Sequence, residues 1–534
     1  MCDWIRPIII ALDRFAMKPL STIDSFCLYA DSPHAGLHGA FLQIYAGKPG
    51  ESTAARFKRL LKHIESRLDA SPVFRRRIER MPLDVDRALW VDGGDVDLHY
   101  HVRHTALPKP GNEAQLADAY AHIYARQMDM TRPLWEIHVI DGLDHCERVP
   151  ANSFALIVKF HHAGFDGVTA VDITSVLHSS DKSSTKHAAS LPSRKAKEKL
   201  PEWSDRLLDG AQFYTRVGTA LMLNLPSISA ALVKQLLPRQ PKAGPKLPAA
   251  PHSLLNGLIS NDRSFTYLGI SLADIKQIRE RVPESTVNDA YLAICGGALR
   301  LFLGDVRALP KASLIAACPV NIRAEHEKGA GGNKFGMMRV PLFTDEADPL
   351  KRLQRIAAFT SAAKATMGGR SGTRKSMAWL DMLPAPLLAL ASAALRGGRI
   401  AGRISPIVNL IVTNVPGPRD PIYLDGYELV DMFGVPPVAD GAGLIIGTTS
   451  YRSQLRIAVG ACRTIMPDPE KMQGFLRESA AALLSNPGAA KRKRVVTKQA
   501  SPKGRPTFSA FVAEITPAKK VAAKKKTTRS GKAG

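Results

Sequence analysis

The chain has 534 residues, 45% of them hydrophobic, and a formal net charge of +25 at pH 7, a length and composition that allow two substantial domains with hydrophobic cores. Its six cysteines have no paired spacing, which argues against a disulfide framework or a zinc site and for a reducing cytosol. No uninterrupted apolar run reaches membrane-spanning length, which argues against a transmembrane helix.

The first half of the chain alternates helix-like and strand-like segments. Residues 54–69 predict a helix, because apolar side chains recur on one face at Phe57, Leu60, Leu61, Ile64 and Leu68. Residues 115–128 predict a second helix, and residues 135–141 predict a strand. A proline just before this strand, in the run Pro-Leu-Trp at 133–135, indicates a rigid turn that leads to a large buried indole.

The most informative stretch of this half is residues 160–167, Phe-His-His-Ala-Gly-Phe-Asp-Gly. An apolar strand-like run over residues 154–160 leads into the histidine pair, and a helix-like run over residues 168–176 leads out of it. Imidazole titrates near neutrality and can take a proton from an alcohol at working pH. A strand end holds such a side chain on a rigid element at the edge of a cleft. The stretch therefore predicts a general base.

Two other interpretations of the histidine pair stay open at this point. The pair could be surface chemistry without a role, or His161, His162 and Asp166 could be metal ligands. Metal sites on one face more often use wider spacings such as H-x-x-x-H together with further ligands. The chain contains neither C-x-x-C nor H-E-x-x-H. These spacings favour a proton-transfer role over a metal site.

The second half shows the same alternation of helices and strands. Its predicted helices are residues 271–282 and 286–303, and its predicted strands are residues 314–320, 410–413 and 444–450. Thr286 has the position of a helix N-cap, with Asp289 in the first turn, and taken alone this would be ordinary capping. The alternation over both halves predicts an α/β fold built in layers.

Three stretches lack the apolar pattern of a folded core. Residues 179–201 are rich in Ser, Lys and Ala, and residues 238–251 hold five prolines. From Lys491 to Gly534 the chain carries 14 Lys or Arg and one acidic residue, Glu514. Such a tail cannot bury enough apolar surface to fold alone. Its charge favours a polyanion, which could be an anionic lipid surface or nucleic acid.

Several short motifs, taken together and in this order, resemble the bacterial wax ester synthase/diacylglycerol acyltransferase family. The histidine stretch has the pattern H-H-x-x-x-D-G of the thioester-dependent acyltransferases that are built like chloramphenicol acetyltransferase. The other matching motifs are Pro19-Leu-Ser-Thr-Ile-Asp24, Pro133-Leu-Trp135, Asn288-Asp289, Pro319-Val-Asn-Ile-Arg323, Gly331-Gly-Asn-Lys-Phe-Gly336 and Thr413-Asn-Val-Pro-Gly-Pro418. The resemblance covers residues 17–485 and leaves the basic tail outside.

The resemblance implies an α/β fold of two chloramphenicol-acetyltransferase-like domains, with mixed sheets and a substrate tunnel between them. The expected parts are an N-terminal extension at 1–16, a first acyltransferase domain at 17–178, a connector with a helical segment at 179–263, a second acyltransferase-like domain at 264–486, and a disordered Lys/Ala-rich tail at 487–534.

The resemblance also implies a reaction, in which a fatty acyl group moves from acyl-coenzyme A, as co-substrate, to diacylglycerol or a long-chain fatty alcohol. No cofactor or metal is expected. By this resemblance His162 is the general base, and His161 orients the loop or lines the tunnel. Asp166 has two possible roles, as a base or as structural support, and the support role is preferred, in which its carboxylate holds the loop through an arginine or local amides. Gly167 is expected to allow close backbone approach where the next helix begins.

The remaining motif residues receive supporting roles from the same resemblance. Asn288 and Asp289 are expected at the substrate, with Asn288 as a hydrogen-bonding group for the oxyanion or for the substrate. Pro133, Leu134 and Trp135 are expected to be structural support for the site.

Two rival functions remain at this stage. One is a condensation-type acyltransferase that uses carrier-protein thioesters and another acceptor. The other is a lipid-inclusion or nucleic-acid-binding protein that acts through its basic tail. For the acyltransferase, the tail suggests a cytoplasmic protein peripherally associated with the inner membrane or with lipid inclusions.

Overall fold

The computed structural model of the chain describes residues 19–81, 84, 87–147, 149–164, 174–182, 247–321, 335–366 and 406–485, with isolated positions at 204–219 and 386–393. The predicted N-terminal extension, most of the connector and the basic tail lie outside these residues. So do Asp166 and Gly167 and most of the glycine loop at 331–336. The predictions for these segments stay predictions.

The described residues form the following elements in chain order. The helices are α1 (Thr22–Ala30), α2 (Thr53–Glu65), α3 (Leu98–His101), α4 (Glu113–Ala125), α5 (Leu272–Glu280), α6 (Val287–Asp305), α7 (Pro349–Thr366) and α8 (Pro469–Leu484). The strands are β1 (His38–Tyr45), β2 (Arg76–Glu79), β3 (Leu89–Asp92), β4 (Val102–Ala106), β5 (Trp135–Asp141), β6 (Phe154–His161), β7 (Arg263–Ser271), β8 (Ile315–Asn321), β9 (Phe335–Pro341), β10 (Leu410–Val415), β11 (Tyr423–Leu424), β12 (Tyr427–Val435), β13 (Leu444–Tyr451) and β14 (Gln454–Cys462).

These elements confirm the helices and strands predicted within the described residues, whereas the helix-like run over residues 168–176 lies mostly outside them and stays a prediction. The helix predicted over residues 54–69 is α2, which ends at Glu65 and is followed by a short 3-10 turn, Leu68–Ala70. The helix predicted over residues 115–128 is α4, which begins earlier because Asn112 and Gln115 form a capping box. The strand predicted over residues 135–141 is β5.

Two six-stranded mixed sheets organise the described residues. The first sheet has the order β11-β12-β1-β6-β5-β4, in which β4 and β5 run parallel and the other pairs are antiparallel. The second has the order β7-β14-β13-β10-β8-β9, in which β10 runs parallel to both β13 and β8. The predicted α/β class with mixed sheets is therefore confirmed.

The central strands of the first sheet are covered on both faces. Every residue of β1, β5 and β6 is buried. On one face Phe41, Val158 and Trp135 belong to a core that includes α2. On the other face Leu42 and Ile157 belong to a larger core that also contains the second sheet. Burial on both faces explains why β6 reads as a continuous apolar run rather than as an alternating one.

The two halves of the chain share their sheets and cores. The strands β11 and β12 come from the second half of the sequence, yet β12 pairs with β1 in the first sheet. In the other direction, α4 of the first half packs against β7 of the second sheet, and Tyr120 stacks on Phe265 with ring centroids 3.8 Å apart. The first sheet is therefore completed by a strand from far along the chain. Strand β12 (Tyr427–Val435) follows β6 (Phe154–His161) by more than 250 residues in the sequence.

Among the described residues, no helix is both long enough and apolar enough to cross a membrane.

Candidate active site

The histidine pair stands where β6 leaves the first sheet. His161 is the last residue of β6 and is 1% exposed, whereas His162 begins the following turn and is half-buried. This is the strand-end position that the sequence predicts for a general base. Of the two histidines, His162 is the one that retains solvent-accessible surface.

Backbone hydrogen bonds hold the pair from both sides. The His161 amide donates to Leu134 O at 3.1 Å, and the His162 amide donates to Leu37 O at 2.8 Å. Leu134 lies in the segment that enters β5, and Leu37 lies in the segment that enters β1. Each histidine is therefore fixed to a different neighbouring strand of the sheet.

The Pro133-Leu134-Trp135 motif lies directly behind the histidine pair. The Trp135 indole is 1% exposed, and its Nε1–H donates to Phe74 O at 2.9 Å. One face of the ring stacks on His101, with centroids 4.4 Å apart, and His101 Nδ1 donates to Trp135 O at 2.7 Å. A buried indole with its N–H satisfied is a rigid anchor, and these contacts favour the structural role expected for the motif.

The turn after the histidines is held by an arginine from β2. Arg76 donates to Gly164 O at 2.8 Å, and its guanidinium lies 4.3 Å from the Trp90 ring centroid. A Cβ added at Gly164 would lie 3.3 Å from the Trp90 ring, so the turn has little room for a side chain. The sequence patterns do not single out Arg76, which reaches this turn only through the β2–β3 hairpin.

Ionisable side chains line the face of the first sheet that carries His161. The register places Lys159 two residues before His161, opposite Glu136 on β5, while His38 on β1 lies opposite His161 itself. Lys159 is fully buried, and its Nζ donates to Arg126 O. Burial lowers the pKa of the Lys159 ammonium from 10.5 to about 8. Sequence reasoning missed this lysine because it lies within an apolar run.

Burial and the charge of Lys159 also shift the pKa values of two neighbouring side chains, His38 and Glu136. Burial first, and then the charge of Lys159, lower the pKa of the His38 imidazole well below its ordinary value, while its Nε2–H donates to Tyr124 O. For Glu136 burial alone raises the pKa, but the hydrogen bond from His138 and the charge of Lys159 outweigh it and lower the pKa. The face beside His161 thus combines a neutral His38 with a charged Glu136 and Lys159 at neutral pH.

The Asn288-Asp289 motif lies at the start of α6. Asp289 is 2% exposed and closes a capping box with Thr286, and its other carboxylate oxygen accepts from Thr360 at 2.7 Å. Both oxygens therefore have partners inside the protein, which favours the capping role for Asp289, while its expected contact with substrate stays a prediction. Asn288 is half-buried and accepts from Asn414 Nδ2 at 3.4 Å.

The contact between Asn288 and Asn414 joins two motifs that are 126 positions apart in the sequence. Asn414 lies on β10, in the second sheet, whereas the histidine pair belongs to the first sheet. The structure therefore places the predicted site residues in two groups, one at the end of β6 in the first sheet and one at the start of α6 beside β10 of the second sheet. The half-buried amide of Asn288 is a hydrogen-bonding group of the kind that an oxyanion needs.

The arrangement can do proton-transfer chemistry. It offers a half-buried imidazole on a fixed backbone, next to a face of buried charges. Within the described part of the chain, no group of three or more His, Cys, Asp or Glu side chains is arranged to hold a metal ion. The geometry of His161 and His162 is that of a strand end presenting an acid–base group.

Known protein families match most of the chain. Residues 20–291 match the family described as the wax ester synthase/diacylglycerol acyltransferase catalytic domain, and residues 331–483 match the WS/DGAT C-terminal domain. A Mycobacterium tuberculosis protein named "Probable diacyglycerol O-acyltransferase tgs2" is 31% identical over 466 residues, which cover 85% of this chain and 96% of that protein.

Solved structures with the same fold include a wax ester synthase/diacylglycerol acyltransferase from Marinobacter aquaeolei VT8. It is 25% identical, with a TM-score of 0.62 over 87% of this chain and 98% of that one. The TRI3 trichothecene 15-O-acetyltransferase of Fusarium sporotrichioides is 10% identical, with a TM-score of 0.52 over 88% of this chain and 95% of that one. The second likeness concerns the fold alone.

Proposed function

The chain belongs to the wax ester synthase/diacylglycerol acyltransferase family, and we propose that His162 is the general base of its reaction. The protein is an acyltransferase that moves a fatty acyl group from acyl-coenzyme A to diacylglycerol or to a long-chain alcohol. The proposal concerns how the residues of this chain perform that transfer.

The chemistry needs few groups, because a thioester is already an activated acyl donor. His162 takes the proton of the acceptor hydroxyl as its oxygen attacks the thioester carbon. The tetrahedral intermediate then collapses, the carbon–sulfur bond breaks, and the same imidazole returns the proton to the coenzyme A thiolate. These reaction steps require no covalent enzyme intermediate, metal or prosthetic group. Acyl-coenzyme A takes part in them as the co-substrate.

The observation that carries the assignment is the contrast between the two histidines. His161 is enclosed in the sheet at 1% exposure, and its Nδ1 accepts the Ala163 amide at 3.1 Å. His162 is half-buried on a backbone that is hydrogen-bonded to Leu37 O. Only a ring that the substrate can reach can exchange a proton with it. A backbone held by hydrogen bonds also limits how far the imidazole can turn away from its reactive orientation.

Asn288 is proposed as the hydrogen-bonding group for the oxyanion or for the acceptor. Its side chain lies at the start of α6 beside Asn414, which is on the second sheet, whereas the histidines stand at the end of a strand of the first sheet. A tunnel between the sheets would let thioester and acceptor meet with the base on one side and this amide on the other. The support for this role is the half-burial of Asn288 and its position in the first turn of a helix.

The test is an acyl-transfer assay with the purified full-length chain. Radiolabelled palmitoyl-coenzyme A is offered with diacylglycerol and, in parallel, with hexadecanol. We expect a lipid ester with at least one acceptor, and the better acceptor distinguishes triacylglycerol from wax ester synthesis. Transfer only from a carrier-protein thioester would favour the condensation-type alternative, and no transfer from either donor would contradict the proposed function.

We also propose that the basic tail brings the enzyme to anionic lipid surfaces, where its acceptors partition. The support is the 14 basic residues against one acidic residue between Lys491 and Gly534, since each basic residue near an anionic surface contributes about 1 kcal/mol of attraction. A chain that ends at residue 486 is expected to lose sedimentation with phosphatidylserine vesicles and to keep transfer in detergent micelles.

The controls for the tail are neutral vesicles and a salt series. Binding of the full chain should weaken as salt rises, because screening shortens the range of the attraction. Equal vesicle binding by the full and the shortened chain would contradict the anchoring role, and preferential binding to duplex DNA would favour nucleic acid as the partner.

A further inference from the structure

The carboxylate of Asp31 contacts both the ring of His161 and the backbone amide of Leu37, the residue before β1. We propose that Asp31 is a positioning residue, which fixes the backbone of His162 and the ring of His161 through one oxygen atom. This inference rests on the proposed function, because it assigns Asp31 to the orientation of the same general base. Asp31 is the C-cap residue that follows the last residue of α1, Ala30.

The first link runs through Leu37. The Leu37 amide donates to Asp31 Oδ1 at 2.6 Å, a short hydrogen bond of the charge-assisted kind. The carbonyl of the same residue accepts the His162 amide at 2.8 Å. The two backbone polar groups of Leu37 thus connect the Asp31 carboxylate to the backbone of the proposed base.

The second link is to the ring of His161. Its Nδ1 accepts the Ala163 amide at 3.1 Å, so in the neutral ring the proton is on Nε2. That Nε2 lies 3.4 Å from Asp31 Oδ1, the same oxygen that binds Leu37. The distance is that of an electrostatic contact between a ring N–H and an anion rather than of a good hydrogen bond. The contact favours one tautomer and one orientation of the ring.

The loop between Asp31 and β1 is held independently by the second half of the chain. Ser32 and Ala35 exchange backbone hydrogen bonds that close a turn, and Arg263 donates to His34 O at 2.7 Å. His34 Nε2 donates to Asp440 at 3.1 Å. Loss of the Asp31 carboxylate should therefore release Leu37 and the His161 ring while the rest of the loop stays attached.

These contacts allow a matched set of variants. Asp31→Ala removes the oxygen, and Asp31→Asn keeps an oxygen in its place without the charge. Asp440→Ala removes a carboxylate of the second half of the chain that contacts the same loop through His34. Since a misplacement of about 1 Å can cost about 100-fold in rate, we expect Asp31→Ala to lower kcat about 30- to 100-fold with KM for acyl-coenzyme A changed less than about 3-fold.

The other two variants separate positioning from general damage to the loop. Asp31→Asn should recover kcat to within about 5-fold of the wild type, because its oxygen can still accept the Leu37 amide. Asp440→Ala should stay within about 3-fold of the wild type. A kcat for Asp31→Ala within about 3-fold of the wild type, or an equal loss in Asp440→Ala, would overturn the proposal.

Backbone hydrogen exchange tests the same inference without any turnover. In Asp31→Ala, the amides of Leu37 and His162 should exchange at least about 10-fold faster than in the wild type and in Asp440→Ala, as measured by mass spectrometry of short peptides. Unchanged exchange at both amides would refute the positioning role. If the wild type transfers no acyl group, the proposed function fails, and amide exchange still decides the role of Asp31.

Discussion

Replacement of His162 by alanine is expected to lower kcat for acyl transfer about 1,000-fold, because a positioned general base contributes about 100- to 10,000-fold. The fold should survive, since His162 is half-buried and alanine retains the backbone amide that is hydrogen-bonded to Leu37 O. KM for acyl-coenzyme A should change little, because the imidazole acts on the acceptor hydroxyl. The measurement is steady-state turnover with the better acceptor, per folded molecule.

The control for this variant is a histidine of matched chemistry away from the sheet end. His122 lies on α4 with a side chain 71% exposed, so His122→Ala should keep wild-type turnover. Circular dichroism of both variants checks that they are folded. Turnover of His162→Ala within about 10-fold of the wild type would remove His162 from the role of general base.

Replacement of Trp135 by alanine is expected to lower the free energy of unfolding by about 3–5 kcal/mol, the usual cost of a large cavity in a core. The indole is 1% exposed, stacks on His101, and lies edge-on to Phe74 with centroids 5.5 Å apart. Its loss also leaves Phe74 O without the indole donor. The measurement is equilibrium urea unfolding followed by circular dichroism, so that the loss of tryptophan fluorescence does not interfere.

Two further substitutions accompany Trp135→Ala. One separates the loss of the indole N–H from the loss of the ring, and the other is a control at an exposed residue. Trp135→Phe keeps a ring in the cavity but not the N–H, and we expect it to cost about 1–2 kcal/mol through the orphaned carbonyl. Phe26→Ala, at a residue 42% exposed, should change stability by less than about 0.5 kcal/mol. A Trp135→Ala protein that unfolds at the wild-type urea concentration would show that this motif is not a structural support.

The buried charges beside His161 distinguish this site from a purely apolar tunnel wall. Lys159 has a lowered pKa and lies on the same face as His161, opposite Glu136. A buried ammonium costs free energy unless it is hydrogen-bonded, and the carbonyl of Arg126 supplies that bond. The sheet therefore carries a fixed pattern of charge next to the proposed base, which an apolar face of the same shape would not provide.

Several features of the protein follow from short stretches of sequence. The apolar run before the histidine pair predicts β6, and the helical spacing after Thr53 predicts α2, because each pattern repeats with the period of its own element. The Pro-Leu-Trp run at 133–135 predicts a buried indole at a strand start, and Trp135 is the first residue of β5. The histidines of the motif predict a general base, since the chemistry of imidazole is local to the side chain, and the resemblance of the whole motif to a family implies acyl transfer.

Other features depend on segments that are distant in the sequence. The first sheet is completed by β12, which pairs with β1 after almost 400 intervening residues, such as Phe41 with Gly434. Asp31 reaches His161 across 130 positions, and Arg76 reaches Gly164 across 88. None of these pairings has a periodic signature, because the residues meet only through the order of strands in the sheet.

One physical reason explains why some features can be predicted from a short stretch of sequence and others cannot. Local conformation depends on backbone preferences and on the spacing of apolar side chains, both of which can be read within one helix or strand. Which strands become neighbours depends instead on how all the faces are buried together, and many strand orders would bury similar apolar runs. The sequence by itself therefore determined the chemistry and the element that carries the proposed base. Only the tertiary structure decided that Asp31 contacts the His161 ring, that Arg76 holds the following turn and that Lys159 lies opposite Glu136.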